Sequence, residues 1–296
     1  MALTKIDADG LNTNVYNVVG PFRNRLINGG MRVAQRGTSA TVTAGTTVPT
    51  ASTGYPCVDR WFVYSTGANV TPAQVAGTGG TQNRLQITGA ASVTAVGVGQ
   101  RIEQLNSYDL AGDNVTLSVD LANSLLTTVT WTASYATTTA DTFGTIGTPT
   151  KTQIATGTFT VSSTLTRFTA SFTVPAAATT GIEILFTVGA QTSGAWTIGN
   201  VQLEEGLVAS TFEPREYGDL LRACQRYFQA LTQKVFNSTT DYAPFYYKVT
   251  MRTTPTITGG GVGFTAEPTG TQDANSGLYY QTTAAVQTLS ISAEVA

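Results

Sequence analysis

Apolar residues recur at every second position in four separate stretches of this chain. The stretches are residues 115–121, 129–135, 168–174 and 182–188. Because successive side chains of a strand point to opposite faces, this period places one face in a core and the other in water. Segments rich in Gly, Pro, Asn and Asp separate the stretches and favour tight turns and surface loops. The sequence therefore predicts a mostly β chain, folded as an antiparallel β-sandwich or jelly roll.

The alternation changes phase in the last predicted strand of this sandwich. Trp196 and Ile198 share one face, and Val201 and Leu203 continue that face only if one extra residue is accommodated between them. Glycine tolerates the backbone angles that such an insertion requires. The sequence therefore predicts a β-bulge at Gly199–Asn200, which bends the strand.

After Pro214 the apolar period changes from two residues to three and four, which predicts an amphipathic helix over residues 216–233. Its apolar stripe is too short to hold a coiled coil alone. The stripe therefore packs on the sandwich, on neighbouring copies around a threefold axis, or on both. We expect a homotrimer around such an axis. The predicted oligomer interface consists of Leu220, Cys224, Tyr227, Phe228 and Leu231.

Two further segments flank the β module predicted over residues 21–215. Residues 1–20 contain too few apolar side chains for a core and are interpreted either as an arm that adds a strand to another subunit or to a particle, or as a flexible tail. Residues 234–296 contain several short predicted strands between Gly-rich and Pro-rich turns. A β domain of this size needs support from association, which again favours an oligomer.

Composition excludes several classes of function. Charged residues make up 11% of the chain and the formal net charge is −2, so no electrostatic reason exists to bind nucleic acid or an anionic membrane. No apolar run reaches the ~20 residues of a membrane span, and the first residues lack the pattern of a signal peptide. The arginines of the first third of the chain are scattered singly, and we expect them to form ion pairs between subunits.

The chain contains no histidine, which excludes triads and zinc sites that depend on imidazole. A carboxylate pair for glycoside hydrolysis needs no histidine. However, Glu204 and Glu205 are adjacent in a predicted turn and would point apart. Asp109, Asp113, Asp120 and Asp141 lie in or near predicted turns, where carboxylates ordinarily cap backbone amides. We therefore expect no enzyme activity, no cofactor and no metal.

Cys57 and Cys224 are the two cysteines, and they lack the spacing of a metal or redox motif. We expect two buried free thiols. The alternative is a disulfide, which requires Cα atoms within about 7 Å of each other.

Glycan binding would depend on exposed aromatic rings beside polar groups. Trp61, Trp131 and Trp196 lie on apolar strand faces and are predicted to be core residues. The candidate ligand-binding residues are in a loop and near the C-terminus, and the alternative for the tyrosines and the phenylalanine is an ordinary surface position. These candidates are Tyr135, Asp141, Phe143, Tyr279 and Tyr280.

Four segments together carry a resemblance to a known family: residues 24–37 (NRLINGGMRVAQRG), 55–62 (YPCVDRWF), 100–124 and 196–228. They resemble the jelly-roll modules of tail-fibre and other appendage proteins of tailed bacteriophages. Such jelly-roll modules often hold a structural calcium ion near their first and last strands. The opening segment here, Asn28-Gly29-Gly30-Met31, lacks the acidic residue expected after the first glycine, so the resemblance implies no metal in this chain.

The resemblance implies a virion protein that is assembled in the host cytoplasm. The first hypothesis is a tail fibre or tail-associated appendage that contributes to attachment at host-surface glycans and joins other virion proteins through the N-terminal arm. The alternative is a capsid decoration, head fibre or tail connector that binds only virion proteins. The segment 196–228 is interpreted as marking architecture and assembly, with any recognition site in the loops or the terminal domain.

Overall fold

The computed structural model describes residues 22–77, 83–235, 238–259, 264–266, 273–281 and 285–296. The predicted arm, residues 1–20, lies outside the described residues. The strands are β1 Phe62–Thr66, β2 Thr71–Ala76, β3 Asn83–Thr88, β4 Ala95–Ile102, β5 Asn114–Asn123, β6 Thr128–Ala136, β7 Lys151–Thr160, β8 Thr166–Thr173, β9 Ile182–Val188, β10 Ala195–Glu205, β11 Phe228–Val235, β12 Ser238–Tyr246, β13 Thr256–Gly259, β14 Phe264–Ala266, β15 Ser276–Gln281 and β16 Ala285–Ser292. Helix α1 spans Tyr217–Gln225, and two short 3-10 turns span Gln104–Asn106 and Tyr108–Leu110.

Strands β1–β10 form two five-stranded antiparallel sheets. One has the order β1-β4-β9-β6-β7 and the other β2-β3-β10-β5-β8. The apolar faces of both sheets meet in one core, which includes the four predicted alternating stretches and all three tryptophans. The predicted fold class, a mostly β antiparallel sandwich of jelly-roll type with one short helix, is confirmed.

The polar face of β5, which the alternation predicts to be exposed to water, is partly buried. Its Thr116 and Ser118 side chains are polar but buried. Asp120 on the same face pairs with Arg84 at 3.4 Å and with Arg167 at 3.0 Å. A layer of long polar side chains therefore covers a face that the alternation predicts to be wet.

The predicted β-bulge is present in β10. Gly199 pairs with Asp120, whereas Gln202 pairs with Ser118, so β10 contains one extra residue between the two pairs. Asn200 adopts a φ of 47°, a left-handed conformation that Asn accepts more readily than most residues. Within the bulge, the Val201 amide donates to the carbonyl of Gly29 at 3.0 Å. The bulge thus anchors the opening segment of the module against β10.

Helix α1 is shorter than the predicted range 216–233. It begins after Glu216, whose side chain accepts hydrogen bonds from the amides of Gly218 and Asp219, and it ends at Gln225. From Phe228 the chain is extended and pairs with β16 along all eight residues of β11. Pairing with a partner strand satisfies the backbone groups here, and it overrides the apolar spacing that suggests a longer helix.

The C-terminal strands form two small three-stranded sheets, β11-β16-β13 and β12-β15-β14. Their described apolar cluster is small, with Leu289 and Ile291 at its centre. The sequence predicts that such a domain needs association, and the sandwich of the same chain provides it.

Residues 293–296 follow β16 and contact both the sandwich and Tyr227, which follows α1. Glu294 is fully buried and forms ion pairs with Arg60 and, at 3.1 Å, with Arg36. The carbonyl of Val295 accepts from Arg101, and the carbonyl of Ala296 accepts from the amide of Phe143 at 2.7 Å. We call residues 293–296 with Arg36, Arg60 and Arg101 the C-terminal lock.

The arginines of the first third of the chain, predicted to pair between subunits, pair with acidic side chains of the same chain, with the exception of Arg32 in the described residues. Arg23, Arg25, Arg84 and Arg101 contact acidic side chains of the same chain, as do Arg36 and Arg60. Cys57 and Cys224 are both buried free thiols, as expected. No helix in the described part of the chain has the length and apolar character to cross a membrane.

Candidate functional site

A cavity of about 300 Å³ lies where the opening segment of the module meets the 3-10 turns and helix α1. This volume is at the lower end of the range found for small-molecule sites. We call it the arginine cavity. Its lining residues are Phe22, Asn24, Arg25, Ile27, Asn106, Arg215, Ala223, Arg226 and Tyr227.

The bulged strand β10 fixes the opening segment as one wall of the cavity. The Asn24 side-chain amide donates to the carbonyl of Val201 at 2.9 Å, and its side-chain oxygen accepts from the amides of Leu26 and Leu203. The amide of Arg25 donates to the carbonyl of Leu203 at 2.8 Å. Asn24 is buried and fully engaged, so this wall is rigid.

Two of the three arginines that line the cavity are neutralised by carboxylates. Arg25 donates to both carboxylate oxygens of Asp109, at 3.1 and 2.7 Å. Arg226 donates to both carboxylate oxygens of Glu103, at 3.1 and 3.3 Å. Such forked pairs hold guanidinium groups in fixed orientations.

Arg215 differs from these two arginines. Among the described residues, no acidic side chain lies within ion-pairing distance of its guanidinium group. One terminal nitrogen donates to the backbone carbonyl of Asn24, and its buried Nε has no acceptor in the described part of the chain. Burial lowers the pKa of Arg215, Glu213 opposes this change, and the positive charge of Arg25 adds to it.

Glu213, the nearest candidate counter-charge, is already engaged elsewhere. Its two carboxylate oxygens accept the backbone amides of Phe22, at 2.5 Å, and Asn24, at 2.9 Å. Glu213 therefore holds the opening segment in place and leaves the guanidinium group of Arg215 without a direct anionic partner.

Tyr227 forms part of the cavity wall on the side of the helix. Its ring lies beneath the guanidinium group of Arg60, 3.5 Å from the ring centroid. Its hydroxyl is buried beside the Arg226 side chain, and burial is the main cause that raises its pKa to about 12. The hydroxyl therefore stays protonated at neutral pH and can donate a hydrogen bond.

An exposed aromatic side chain lies at the mouth of the cavity. Phe22 is 64% exposed, and the centroid of its ring lies 5.7 Å from the guanidinium carbon of Arg215. With Tyr227 in the wall, the cavity thus combines an aromatic rim with hydrogen-bond donors inside it.

The residues predicted to bind ligand do not form this site. Phe143 is fully buried and packs with Ala136, Tyr227 and Val295, so the prediction of an exposed ring is wrong. Tyr135 is half-buried and packs against the sandwich core. Tyr279 and Tyr280 lie on β15, but their side chains lie outside the described part of the structure.

Asp141 has a structural role in the described residues. One carboxylate oxygen accepts from the backbone amide of Gln104 at 2.7 Å, and the other pairs with Arg252 at 3.4 Å. The pKa of this carboxyl is raised, mainly because the group is buried. The hydrogen bond from Gln104 and the positive charge of Arg252 oppose the increase. Asp141 thus connects a sandwich loop, a 3-10 turn and the C-terminal unit.

The predicted oligomer interface needs correction, because its side chains are buried within the single chain. Leu220 and Cys224 pack on Val33 of the opening segment. Tyr227 joins the cluster with Phe143, and Leu231 belongs to the small C-terminal core. The ring of Phe228 is buried beneath Arg36, at 3.6 Å. The apolar stripe was predicted to pack on the sandwich, on neighbouring copies, or on both. These residues pack against other residues of their own chain.

The acidic pair Glu204 and Glu205 lies on β10 instead of in a turn. Glu204 is buried and accepts from the amide and the hydroxyl of Ser210, at 2.8 and 2.6 Å. Asp120 likewise lies within a strand, between two arginines. In the described residues, no group of three or more Cys, Asp or Glu side chains is arranged to hold a metal ion.

No local sequence pattern indicates the arginine cavity. Its walls nevertheless come from three of the four segments that carry the family resemblance, residues 24–37, 100–124 and 196–228. The segment 196–228, predicted to mark architecture and assembly, also contributes Arg215, Arg226 and Tyr227 to the cavity wall. The missed signal is the convergence of three distant motifs, each of which contributes one or more polar side chains.

No protein-family model matches the chain, and no curated protein sequence matches it. Among solved structures, the chain is similar to a candidate sugar binding protein from Bacteroides thetaiotaomicron, at 15% identity and a TM-score of 0.42 over 62% of this chain and 100% of that one. It is also similar to a CBM4 structure, at 14% identity and a TM-score of 0.39 over 60% of this chain and 98% of that one. A third match is the enzymatically active domain of tailspike protein 4 of bacteriophage CBA120, at 19% identity and a TM-score of 0.36.

The tailspike match covers 54% of this chain and 21% of the tailspike chain. The structural neighbours are thus carbohydrate-binding modules and one phage tailspike domain, all at low identity. Matches with sequence identities this low describe a similarity of fold and carry no functional information.

Proposed function

We propose that this chain is a non-enzymatic appendage protein of a tailed-bacteriophage virion that contributes to attachment at host-surface glycans. The observation that carries the proposal is the arginine cavity, because segments that resemble those of phage appendage modules build a donor-rich pocket with an aromatic rim. Hydrogen-bond donors inside an aromatic-rimmed pocket are suited to a ligand with ring hydroxyls and apolar faces.

The carboxylates beside the cavity favour binding over catalysis. Asp109 and Glu103 each accept two hydrogen bonds from an arginine. A general acid or base must be free to exchange a proton with the substrate, and a carboxylate held in a forked pair is poorly suited to this. The chain also contains no histidine that could take over the role.

The proposal assigns the attachment to the particle to residues 1–20, which lie outside the described residues. It retains a homotrimer as the functional assembly, with surfaces other than the apolar face of α1 in the contact, because that face is buried within the chain. The protein would be assembled in the host cytoplasm and function on the virion.

Two measurements test the proposed function. A glycan array and a host-cell adsorption assay with the purified protein should detect binding, and immunogold electron microscopy should locate the protein at the periphery of the tail. Label on the capsid lattice together with a negative array and no adsorption would contradict the proposal. That result would favour a structural particle component that binds only virion proteins.

A further inference from the structure

We infer that the arginine cavity binds the carboxylate of an acidic sugar, with Arg215 as the residue that pairs with it. This inference rests on the proposed function, because it takes the ligand to be a glycan and then names its chemical class. It concerns one site and one group on the ligand.

The charge balance around the cavity supports an anionic group on the ligand. Arg25 and Arg226 are each matched by one carboxylate, whereas Arg215 is partly buried without one in the described residues. A guanidinium group that is withdrawn from water is costly unless an anion pairs with it. A ligand carboxylate in the cavity would supply the missing charge.

The single positive charge of Arg215 also favours a singly charged anion over a more highly charged one. Arg215 is the one guanidinium group of the lining residues that lacks a carboxylate in the described structure. A carboxylate carries a single negative charge and matches the planar fork of an arginine. A phosphate monoester carries a larger charge and would require a second unpaired cation.

Other lining groups are suited to the remainder of a sugar ring. The Tyr227 hydroxyl is buried beside Arg226, which can only donate to it, so its own proton can be donated to a ring oxygen or hydroxyl. Asn106 donates to Glu103 at 3.1 Å, which fixes the orientation of its amide on the cavity wall. The exposed ring of Phe22 provides an apolar face at the mouth. A cavity of about 300 Å³ accommodates a single acidic residue and not a long chain segment.

Arg32 is a second arginine without a carboxylate partner in the described residues, and it provides a contrast. Its guanidinium group donates to the carbonyl of Arg215 at 3.0 Å and lies 5.5 Å from the ring centroid of Tyr217. Arg32 does not line the arginine cavity. The inference therefore concerns Arg215 alone.

Calorimetric titration of the full chain at low ionic strength tests the inference. The probes are trigalacturonic acid and its methyl ester, which differ in the charge of the carboxyl groups. The acid should bind the wild-type protein, and the ester should bind at least about 10-fold more weakly. Since a hydrogen bond to a charged group contributes about 1.5–3 kcal/mol, Arg215→Gln should weaken binding of the acid by about 10- to 100-fold.

Two further variants complete the design. Arg222→Gln is the matched control, because Arg222 lies on helix α1, which begins two residues after Arg215, and is exposed and pairs with Asp219. This variant should bind as the wild type does. Arg215→Lys retains the charge and should recover part of the affinity. Circular dichroism melting should show that each variant is folded. The comparison of the acid with the ester uses the wild-type protein alone, so it tests the inference even if a variant fails to fold.

Equal affinity for acid and ester, or full affinity in Arg215→Gln, would overturn the inference. Tighter binding of poly-glutamate than of trigalacturonic acid would also overturn it, because the carboxylate would then belong to an acidic peptide. A glycan array positive for neutral glycans alone would leave the proposed attachment function intact and overturn this inference. Binding of the acid through Arg215, with no binding to any host surface, would support the inference and contradict the proposed attachment.

Discussion

Arg60 and Arg215 are both withdrawn from water, but their surroundings differ. Arg60 is 1% exposed, pairs with Glu294, donates to the carbonyl of Arg101 at 2.5 Å and lies over the ring of Tyr227. Arg215 has one backbone acceptor and no carboxylate partner in the described residues. The first arrangement holds the chain together, and the second leaves a charge available for a ligand.

Burial affects the two guanidinium groups in the same direction, but the outcome differs. Burial opposes the charged form of Arg60, but Glu294 together with Tyr227, Tyr55 and Cys224 more than compensates, so its pKa is raised. Burial also opposes the charged form of Arg215, and the compensation is incomplete, so its pKa is lowered. The difference indicates that partners, and not burial alone, separate a structural arginine from a candidate binding arginine.

Tyr227 connects the two regions. One face of its ring supports Arg60 of the C-terminal lock, and the residue also lines the arginine cavity. The position of Tyr227 follows from α1, because the chain turns from helix to β11 at this point. The geometry of the cavity therefore depends on the integrity of the lock.

The largest expected effect comes from breaking the lock. Glu294→Gln leaves Arg60 and Arg36 buried without their shared counter-charge. Removing one partner of a buried ion pair costs about 3–5 kcal/mol, and we expect the free energy of unfolding in urea to fall by this amount. The control is Asp219→Asn, which removes an exposed pair and should cost less than about 1 kcal/mol. Similar losses in both variants would show that the lock does not hold the chain together.

The second largest loss of stability is expected in helix α1, which lies next to both the C-terminal lock and the arginine cavity. Leu220→Ala removes a buried side chain that packs on Val33, which should cost about 2–5 kcal/mol and leave the oligomeric state unchanged. The exposed Leu207 provides the control, and Leu207→Ala should change stability by about 0.5 kcal/mol or less. Sedimentation could instead show that an oligomer of the wild type dissociates in Leu220→Ala while the stability is unchanged. That result would mean that the helix forms an intersubunit contact after all.

A pH dependence of stability is expected from Asp59, which lies beside Arg36 of the C-terminal lock. Asp59 accepts from the amide of Gln35 at 2.9 Å and lies 4.0 Å from Arg36, and burial raises the pKa of its carboxyl from 3.8 to about 6. The folded state thus binds the proton more tightly than the unfolded state. The contribution of Asp59 to stability is fully present below about pH 4 and is lost as the pH rises through about 6.

The size of this contribution follows from the shift of the pKa. It amounts to about 3 kcal/mol over this range. Urea denaturation of wild type and Asp59→Asn between pH 4 and 7 measures it. Asp59→Asn should remove this decrease from the stability curve. Parallel curves for the two proteins would contradict the assignment.

The smallest effect on stability is expected in the cavity. Arg215→Gln removes a guanidinium group that makes one backbone contact and no ion pair in the described residues. The free energy of unfolding should change by about 1 kcal/mol or less, because the lost contact is offset by relief from burying an unpaired charge. A loss comparable to that of Glu294→Gln would make Arg215 a structural residue and would remove the contrast between the two regions.

Local patterns in the sequence predicted much of the sandwich. The alternation in 115–121 and 182–188 is a property of neighbouring residues, and the apolar faces of β5 and β9 lie in the core as expected. The bulge at Gly199–Asn200 was predictable because a phase change within one strand requires an extra residue.

Contacts between distant residues were not predictable in this way. The end of α1 depends on the pairing of β11 with β16, whose residues lie about 60 positions away in sequence. The burial of Phe143 depends on Val295, and no local pattern indicates that the C-terminal segment covers this ring. The arginine cavity likewise brings together residues from three separated motifs.

The sequence by itself determined the fold class, the bulge, the core tryptophans and the absence of imidazole chemistry, because each follows from residue type or short-range periodicity. The tertiary structure decided which arginines are paired. An arginine carries the same charge in every sequence context, but its partner is set by the packing of distant segments. Glu294 reaches Arg60 through the insertion of the C-terminal segment, whereas Glu213 bonds backbone amides and leaves Arg215 available.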